Sequence, residues 1–194
     1  MAQLLIDTNV ISNAYLPDPP EWIRTWLSSL PPGSLAVPWV VVYETEYGIR
    51  QVQRENPLRA LSLLDWFEQF LDQRLTMPEM TVEAARLLGA MAACRPLRNM
   101  FVTANFQPDG AKIKKDRIKI GADAMLAAIA IAHRLPIATL NIKDFVYIDR
   151  YFPIPGLYDP KHDEWVIDPP LGWGMTDNAN DDQSDWAPGA RSRS

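Results

Sequence analysis

The chain has 194 residues, 47% hydrophobic and 22% charged, with a formal net charge of −5. That length suits about one domain with a real buried core, and the composition is ordinary for a soluble globular protein. The acidic average argues against a uniformly basic nucleic-acid binder. A single cysteine, Cys94, excludes an intramolecular disulfide and fits a reducing compartment.

In chain order, residues 3–6 read as a short buried strand, and 8–15 as a helix entered through Asp7, Thr8 and Asn9 and broken by Pro17, Pro19 and Pro20. A helix over 21–29 sets Trp22, Ile23 and Trp26 at helical spacing before Pro31-Pro32-Gly33 stops it. Residues 34–37 are strand-like, and helices follow over 39–53 and 58–71, the second strongly amphipathic. A short strand over 75–77 and a helix over 82–93 come next, with Cys94 expected as a small buried hydrophobe at its end. Residues 94–120 lack periodicity and read as a basic, partly mobile loop. The helix over 122–133 is apolar on nearly all sides and therefore buried, with His133 expected to pair with its last carbonyls. Strands over 137–140 and 156–158 complete the pattern. Strands alternating with helices predict an α/β fold around a mostly parallel sheet, in a domain spanning 1–160.

The start Met1-Ala2-Gln3 has no basic segment and the apolar run ends at Asp7, so no signal peptide is expected. The apolar run over 122–132 falls short of the roughly 18 apolar residues that a membrane span needs. A cytoplasmic protein without membrane contact is expected. The charge is uneven. Arg95, Arg98, Lys112, Lys114, Lys115, Arg117 and Lys119 against Asp109 and Asp116 give the 95–119 segment +5, whereas 161–194 carries −4. The latter stretch, rich in Pro, Gly, Asp and Asn, reads as an acidic extension, draped or disordered. Its tryptophans read as core or interface anchors ahead of base-stacking platforms.

Four carboxylates stand where apolar structure meets an edge. Asp7 ends Leu4-Leu5-Ile6, Glu44 follows Val40-Val41-Val42, Asp123 opens the buried helix, and Asp144 follows the strand at 137–140. Singly, each has an ordinary reading: Asp7 as a helix cap, Glu44 as a solvated helix residue, Asp123 as a cap and Asp144 as a strand terminator in a turn. In a parallel sheet, however, ligands bind outside the carboxyl ends of the strands, which lets Asp7 and Asp144 share one pocket. Carboxylates gathered out of water repel one another and lose hydration unless a cation neutralises them. Hard divalent ions with oxygen ligands, Mg2+ or Mn2+, supply that compensation.

The strings Ile6-Asp7-Thr8-Asn9-Val10-Ile11-Ser12, Glu44-Thr45-Glu46-Tyr47-Gly48-Ile49, Asp123-Ala124-Met125-Leu126-Ala127-Ala128-Ile129-Ala130 and Thr139-Leu140-Asn141-Ile142-Lys143-Asp144-Phe145 resemble, in order, the four acidic motifs of PIN-domain ribonucleases. The toxin half of VapBC toxin–antitoxin pairs is the nearest type, and the resemblance covers about residues 1 to 160. It singles out Glu44 over Glu46, because Glu44 stands four residues before Gly48 as the family's glutamate does. It implies an α/β/α sandwich, with one or two Mg2+ or Mn2+ ions held by Asp7, Glu44, Asp123 and Asp144 and used to hydrolyse RNA phosphodiesters. Asp7 and Asp123 are then the foremost ligands, and Glu44 and Asp144 act through water. Thr8, Asn9, Thr139 and Asn141 match polar positions of the same motifs and either orient the acids or serve as plain caps and turns. A cognate antitoxin, operator DNA reached through it, and a homodimer are implied as well.

Two departures touch substrate details. Pro38 and Val41 stand where the family often has Ser or Thr, and Leu140 replaces a frequent Arg. An aspartyl-phosphate phosphatase would need a second Asp two residues after the nucleophile, where this chain has Asn9. A PIN scaffold that binds RNA or protein without cutting is the non-enzymatic alternative, separated by a metal-dependent cleavage assay.

If the +5 segment tracks RNA phosphates through Lys112, Lys114, Lys115 and Arg117, neutralising the three lysines will weaken RNA binding. Every phosphate left without its cation will also flatten the salt dependence by about 0.7 in log–log slope. A salt titration of binding checks this, and an unchanged slope would assign the segment another role.

Overall fold

The computed structural model describes residues 2–103, 117–118 and 121–174. Strands β1 (Leu4–Ile6), β2 (Leu35–Ala36), β5 (Ile137–Ala138), β6 (Leu157–Asp159) and β7 (Glu164–Ile167) form one sheet in the order β2-β1-β5-β6-β7. The first four are mutually parallel, and β7 returns antiparallel to β6. β3 (Val102–Thr103) and β4 (Arg117–Ile118) make a separate antiparallel pair. The helices are α1 (Thr8–Ala14), α2 (Glu21–Ser29), α3 (Trp39–Glu55), α4 (Pro57–Leu71), α5 (Val82–Ala93), α6 (Arg98–Phe101), α7 (Ala122–His133) and α8 (Ile142–Asp149). The architecture is the expected α/β sandwich around a mostly parallel sheet.

β1 lies at the heart of the molecule: Leu4, Leu5 and Ile6 are buried completely or nearly so, as a strand covered on both faces must be. α7 follows the same logic as a helix, with Ala124 and the run from Leu126 to Ala130 all buried and α5 packed against it. Phe101 and Phe145 are among the largest fully buried side chains. Several helix starts follow from local chemistry. Thr81 accepts from the Ala84 N–H at 3.1 Å to open α5, and Asn56 accepts from the Arg59 N–H at 3.0 Å, with Pro57 as the first residue of α4.

Several expectations change. Residues 75–77 provide only an isolated parallel bridge, Thr76 to Ala36, in place of a strand. The expected loop over 94–120 holds a 3₁₀ turn at Arg95–Leu97, then α6, β3 and β4. Lys112, Lys114 and Lys115 lie outside the described residues, while Arg117 sits in β4, its backbone paired with Thr103. His133 does not serve its own helix end, because its Nε2 lies 2.9 Å from the Glu79 carbonyl oxygen. α8 was not expected, although Phe145 and Ile148, three apart, are its buried face.

The largest correction concerns the boundary at 160. Residues 164–167 are a strand of the main sheet, Trp165 packs on Tyr158 and Trp173, and the Trp173 indole N–H donates to the Gln3 carbonyl. The first part of the supposed extension is thus integral to the domain; the rest of it, 175–194, lies outside the described residues. Asp159 fixes the turn between β6 and β7 by accepting from the Lys161 N–H at 2.9 Å and pairing with His162 Nδ1 at 2.7 Å. Among the described residues no helix is long and apolar enough to cross a membrane.

Gly156 shows how closely this hairpin is held. A Cβ there would stand 3.1 Å from Pro136 Cβ, 3.1 Å from Pro169 Cα and 3.3 Å from the Trp165 ring. Gly156→Ala is therefore expected to cost about 1–3 kcal/mol through overpacking. Calorimetry measures the loss, and an unchanged melting temperature would mean that 165–169 is not clamped against the sheet.

Candidate metal centre

The register of β1 against β5 builds the centre. Ile6 pairs with Ala138, so Asp7 and Thr139 emerge side by side from adjacent strand ends, and the Asp7 N–H donates to the Ala138 carbonyl at 3.0 Å. Asp7 occupies the N-cap position of α1 but makes no side-chain capping hydrogen bond. Its Oδ2 instead accepts from the Thr139 hydroxyl at 2.6 Å and from Asn9 Nδ2 at 2.7 Å. The simple cap reading fails here.

The other polar residues complete a network. Asn9 Oδ1 accepts from the Leu140 N–H at 3.0 Å, stapling the 139–141 loop to α1. Thr139 Oγ1 accepts from the Asn141 N–H at 2.9 Å, and Asn141 Nδ2 donates to Asp123 Oδ2 at 3.1 Å and to Asp144 Oδ2 at 2.8 Å. Thr8 Oγ1 donates to Glu44 Oε2 at 2.7 Å. Thr8, Asn9 and Asn141 each touch an acid, and Thr139 touches Asp7 from its buried position. Glu46 faces away and pairs with Arg50 at 2.7 Å, as its placement about 200° around the helix from Glu44 requires.

The four acids converge. Asp7 is buried, Glu44 and Asp123 are half-buried and Asp144 is exposed, so the group opens to solvent on the Asp144 side. Asp144 lies in the first turn of α8, not in a strand-ending turn. Burial is the largest cause raising the Asp7 pKa; the Thr139 hydrogen bond opposes it and the charge of Glu44 adds to it. Burial likewise leads in raising Asp123 from 3.8 to about 6, helped by the charges of Asp7, Asp144 and Glu44 and opposed by the Asn141 hydrogen bond. Among the described residues no lysine, arginine or histidine forms an ion pair with any of the four. Glu44, Asp123 and Asp144 each keep one carboxylate oxygen free of hydrogen bonds among those residues. An all-oxygen anionic set with no ion-paired base among the described residues fits a hard divalent cation.

The model of the PIN domain matches residues 4–150. The chain belongs to the PIN domain family. No curated protein sequence matches it. Among solved structures, FitAcB from Neisseria gonorrhoeae resembles this PIN domain with a TM-score of 0.57 at 21% identity, covering 82% of this chain and 99% of that one. FitAB bound to an IR36 DNA fragment gives 0.55 at 22% identity, covering 84% and 98%. DNA-bound VapBC from Salmonella typhimurium gives 0.53 at 21% identity, covering 82% and 99%. At such identities the likeness is one of fold.

The raised Asp123 pKa has a direct consequence. The folded PIN domain holds a proton that the unfolded chain releases, so the associated stability is fully present below about pH 4 and is lost as pH rises through about 6. Asp123→Asn cannot ionise. In EDTA it is expected to melt at or above wild type at neutral pH and to lose less stability between acid and neutral pH. Melting curves across that range check this, and a variant well below wild type with the same pH dependence would make Asp123 a structural residue.

Proposed function

We propose that this PIN domain is a divalent-metal-dependent endoribonuclease, the toxin of a type II toxin–antitoxin pair. The observation that carries the reading is the meeting of Asp7, Glu44, Asp123 and Asp144 without a basic partner among the described residues. Such a group is electrostatically costly in itself and gains a purpose when it holds Mg2+ or Mn2+. Asp7 and Asp123 would hold the ion, with Glu44 and the exposed Asp144 acting through water. When bound, the ion supplies water activation and charge stabilisation on a phosphodiester, so no protein nucleophile is required.

The chain's own residues do the positioning. Thr139 and Asn9 lock the Asp7 carboxylate, Thr8 sets Glu44, and Asn141 holds Asp123 and Asp144 at a fixed separation with two donors. RNA is the proposed substrate on the strength of the four motifs. A cognate antitoxin is the proposed partner, with operator DNA reached through it and a homodimer as the assembly. The fold shared with FitAB and with DNA-bound VapBC supports this assignment.

Asp7→Asn and Asp123→Asn are expected to abolish Mn2+-dependent RNA cleavage while leaving the circular dichroism spectrum intact. Thr139→Val and Asn141→Ala, which keep all four acids and remove the donors that orient them, are expected to lose about 10–100-fold in activity or metal affinity. Wild type should gain about 2.7 kcal/mol of stability from Mn2+ at a hundredfold excess over its dissociation constant. Persistent cleavage in a folded, contaminant-free aspartate variant would remove the site.

A further inference from the structure

Of the 161–194 tryptophans expected as anchors, Trp165 and Trp173 pack against the core and Trp186 lies outside the described residues; the aromatic residues of α3 stand differently. Trp39, Tyr43 and Tyr47 are 45%, 60% and 57% exposed, and they recur at every fourth residue of α3. Residues four apart lie about 40° from each other around a helix, so the three rings form one slowly winding ridge. The Tyr43 and Tyr47 rings are nearly parallel, with 21° between planes and centroids 6.3 Å apart.

The ridge winds toward the acids. Glu44 follows Tyr43 directly, and Tyr47 lies only about 60° from it around the axis. Gly48, one turn beyond Glu44 and about 40° from it, weakens the helix without a packing reason, since a Cβ there would meet nothing within 4 Å. Open space and flat apolar surface therefore border Glu44 together.

The surroundings of the rings select the occupant. The exposed face of α3 around them carries the Glu46–Arg50 ion pair, Gln53 and Arg54 instead of aliphatic side chains. The exposed Leu58 and Leu61 come only after the turn at the far end of the helix. A protein interface core needs a contiguous apolar, water-excluding patch. A narrow row of flat rings in a polar field suits nucleobases, whose faces stack on aromatic side chains whatever the sequence.

We propose that Trp39, Tyr43 and Tyr47 form a stacking platform that carries a single-stranded segment of RNA to the acids beside Glu44. This rests on the ribonuclease reading and adds the path by which substrate arrives. Bases stacked on the ridge bring a neighbouring phosphate to the open ground at Gly48. The platform contributes to binding and leaves the chemistry to the acids, so its loss belongs in KM more than in kcat.

The test uses the full chain, a labelled single-stranded oligoadenylate and an abasic strand of the same length. Tyr43→Ala/Tyr47→Ala and Trp39→Ala are expected to weaken oligoadenylate binding about tenfold or more and to raise KM correspondingly. The salt slope should stay unchanged, because the rings neutralise no phosphate. Tyr43→Phe/Tyr47→Phe, which keeps the rings, should stay within about twofold of wild type, and binding of the abasic strand should be insensitive to every variant. Wild-type affinity in the alanine variants, or an equal loss in the phenylalanine variant, overturns the platform while leaving the ribonuclease reading intact. An alanine variant that dissociates into smaller species on gel filtration with RNA affinity per chain unchanged overturns it in favour of an interface between copies. Wild type that neither binds oligoadenylate nor cleaves RNA overturns both readings together.

Discussion

The burial of Asp7 and Asp123 beside the like charges of Glu44 and Asp144 is the constraint on which the site depends. The pairing of Ile6 with Ala138 delivers Asp7 and Thr139 to one end of the sheet, α3 and α7 bring Glu44 and Asp123, and α8 adds the exposed Asp144. Three of these acids would be better solvated in water. They stay because Leu4, Leu5, Ile6 and the apolar body of α7 belong to the core, and the acids follow wherever those elements go. Hydrophobic burial thus drives the assembly that electrostatics alone would disperse, a common arrangement where function sits on a locally destabilised site.

Much of this arrangement was legible in the chain. The helices over 21–29, 82–93 and 122–133 have the bounds that the sequence predicts; the Pro31-Pro32-Gly33 stop after the first and the Thr81 cap before the second act locally and do not depend on distant contacts. The four acids were legible through motif order, and the edge they share through the logic of parallel strands. What the residues alone could not give was the role of Asp7, for an aspartate at the head of a helix is indistinguishable from a cap until Thr139, 132 positions away, is placed beside it.

The misses share a different cause. β7 is an edge strand whose four residues alternate between exposed and half-buried, set among prolines and acids that dominate any windowed reading of 161–174. Its backbone pairing with β6 and the rings of Tyr158 and Trp173 around Trp165, contacts between segments, make it part of the sheet. α8 is short, with Asp144 and Asp149 near its ends, and its buried face is just Phe145 and Ile148. The third strand expected at 75–77 failed for the converse reason. Its apolar composition allows a strand, but only Thr76 meets β2, and the edge of the sheet is closed by one bridge.

The chemistry of the donors around the acids completes the argument. Thr8, Asn9, Thr139 and Asn141 are all neutral, although a lysine or arginine at any of these positions would relieve the repulsion more strongly. A basic neighbour would also cancel the charge that draws a divalent ion and would compete for the same oxygens. Neutral donors fix carboxylate orientation without cancelling that charge, and each neutral hydrogen bond lowers a pKa only modestly against burial and like charge, as the raised Asp123 shows. The carboxylates are thus oriented by neutral donors and, among the described residues, have no basic counter-charge, the combination that the proposed cation site requires. A basic side chain at any of these four positions would make the fold more stable and oppose the proposed cation.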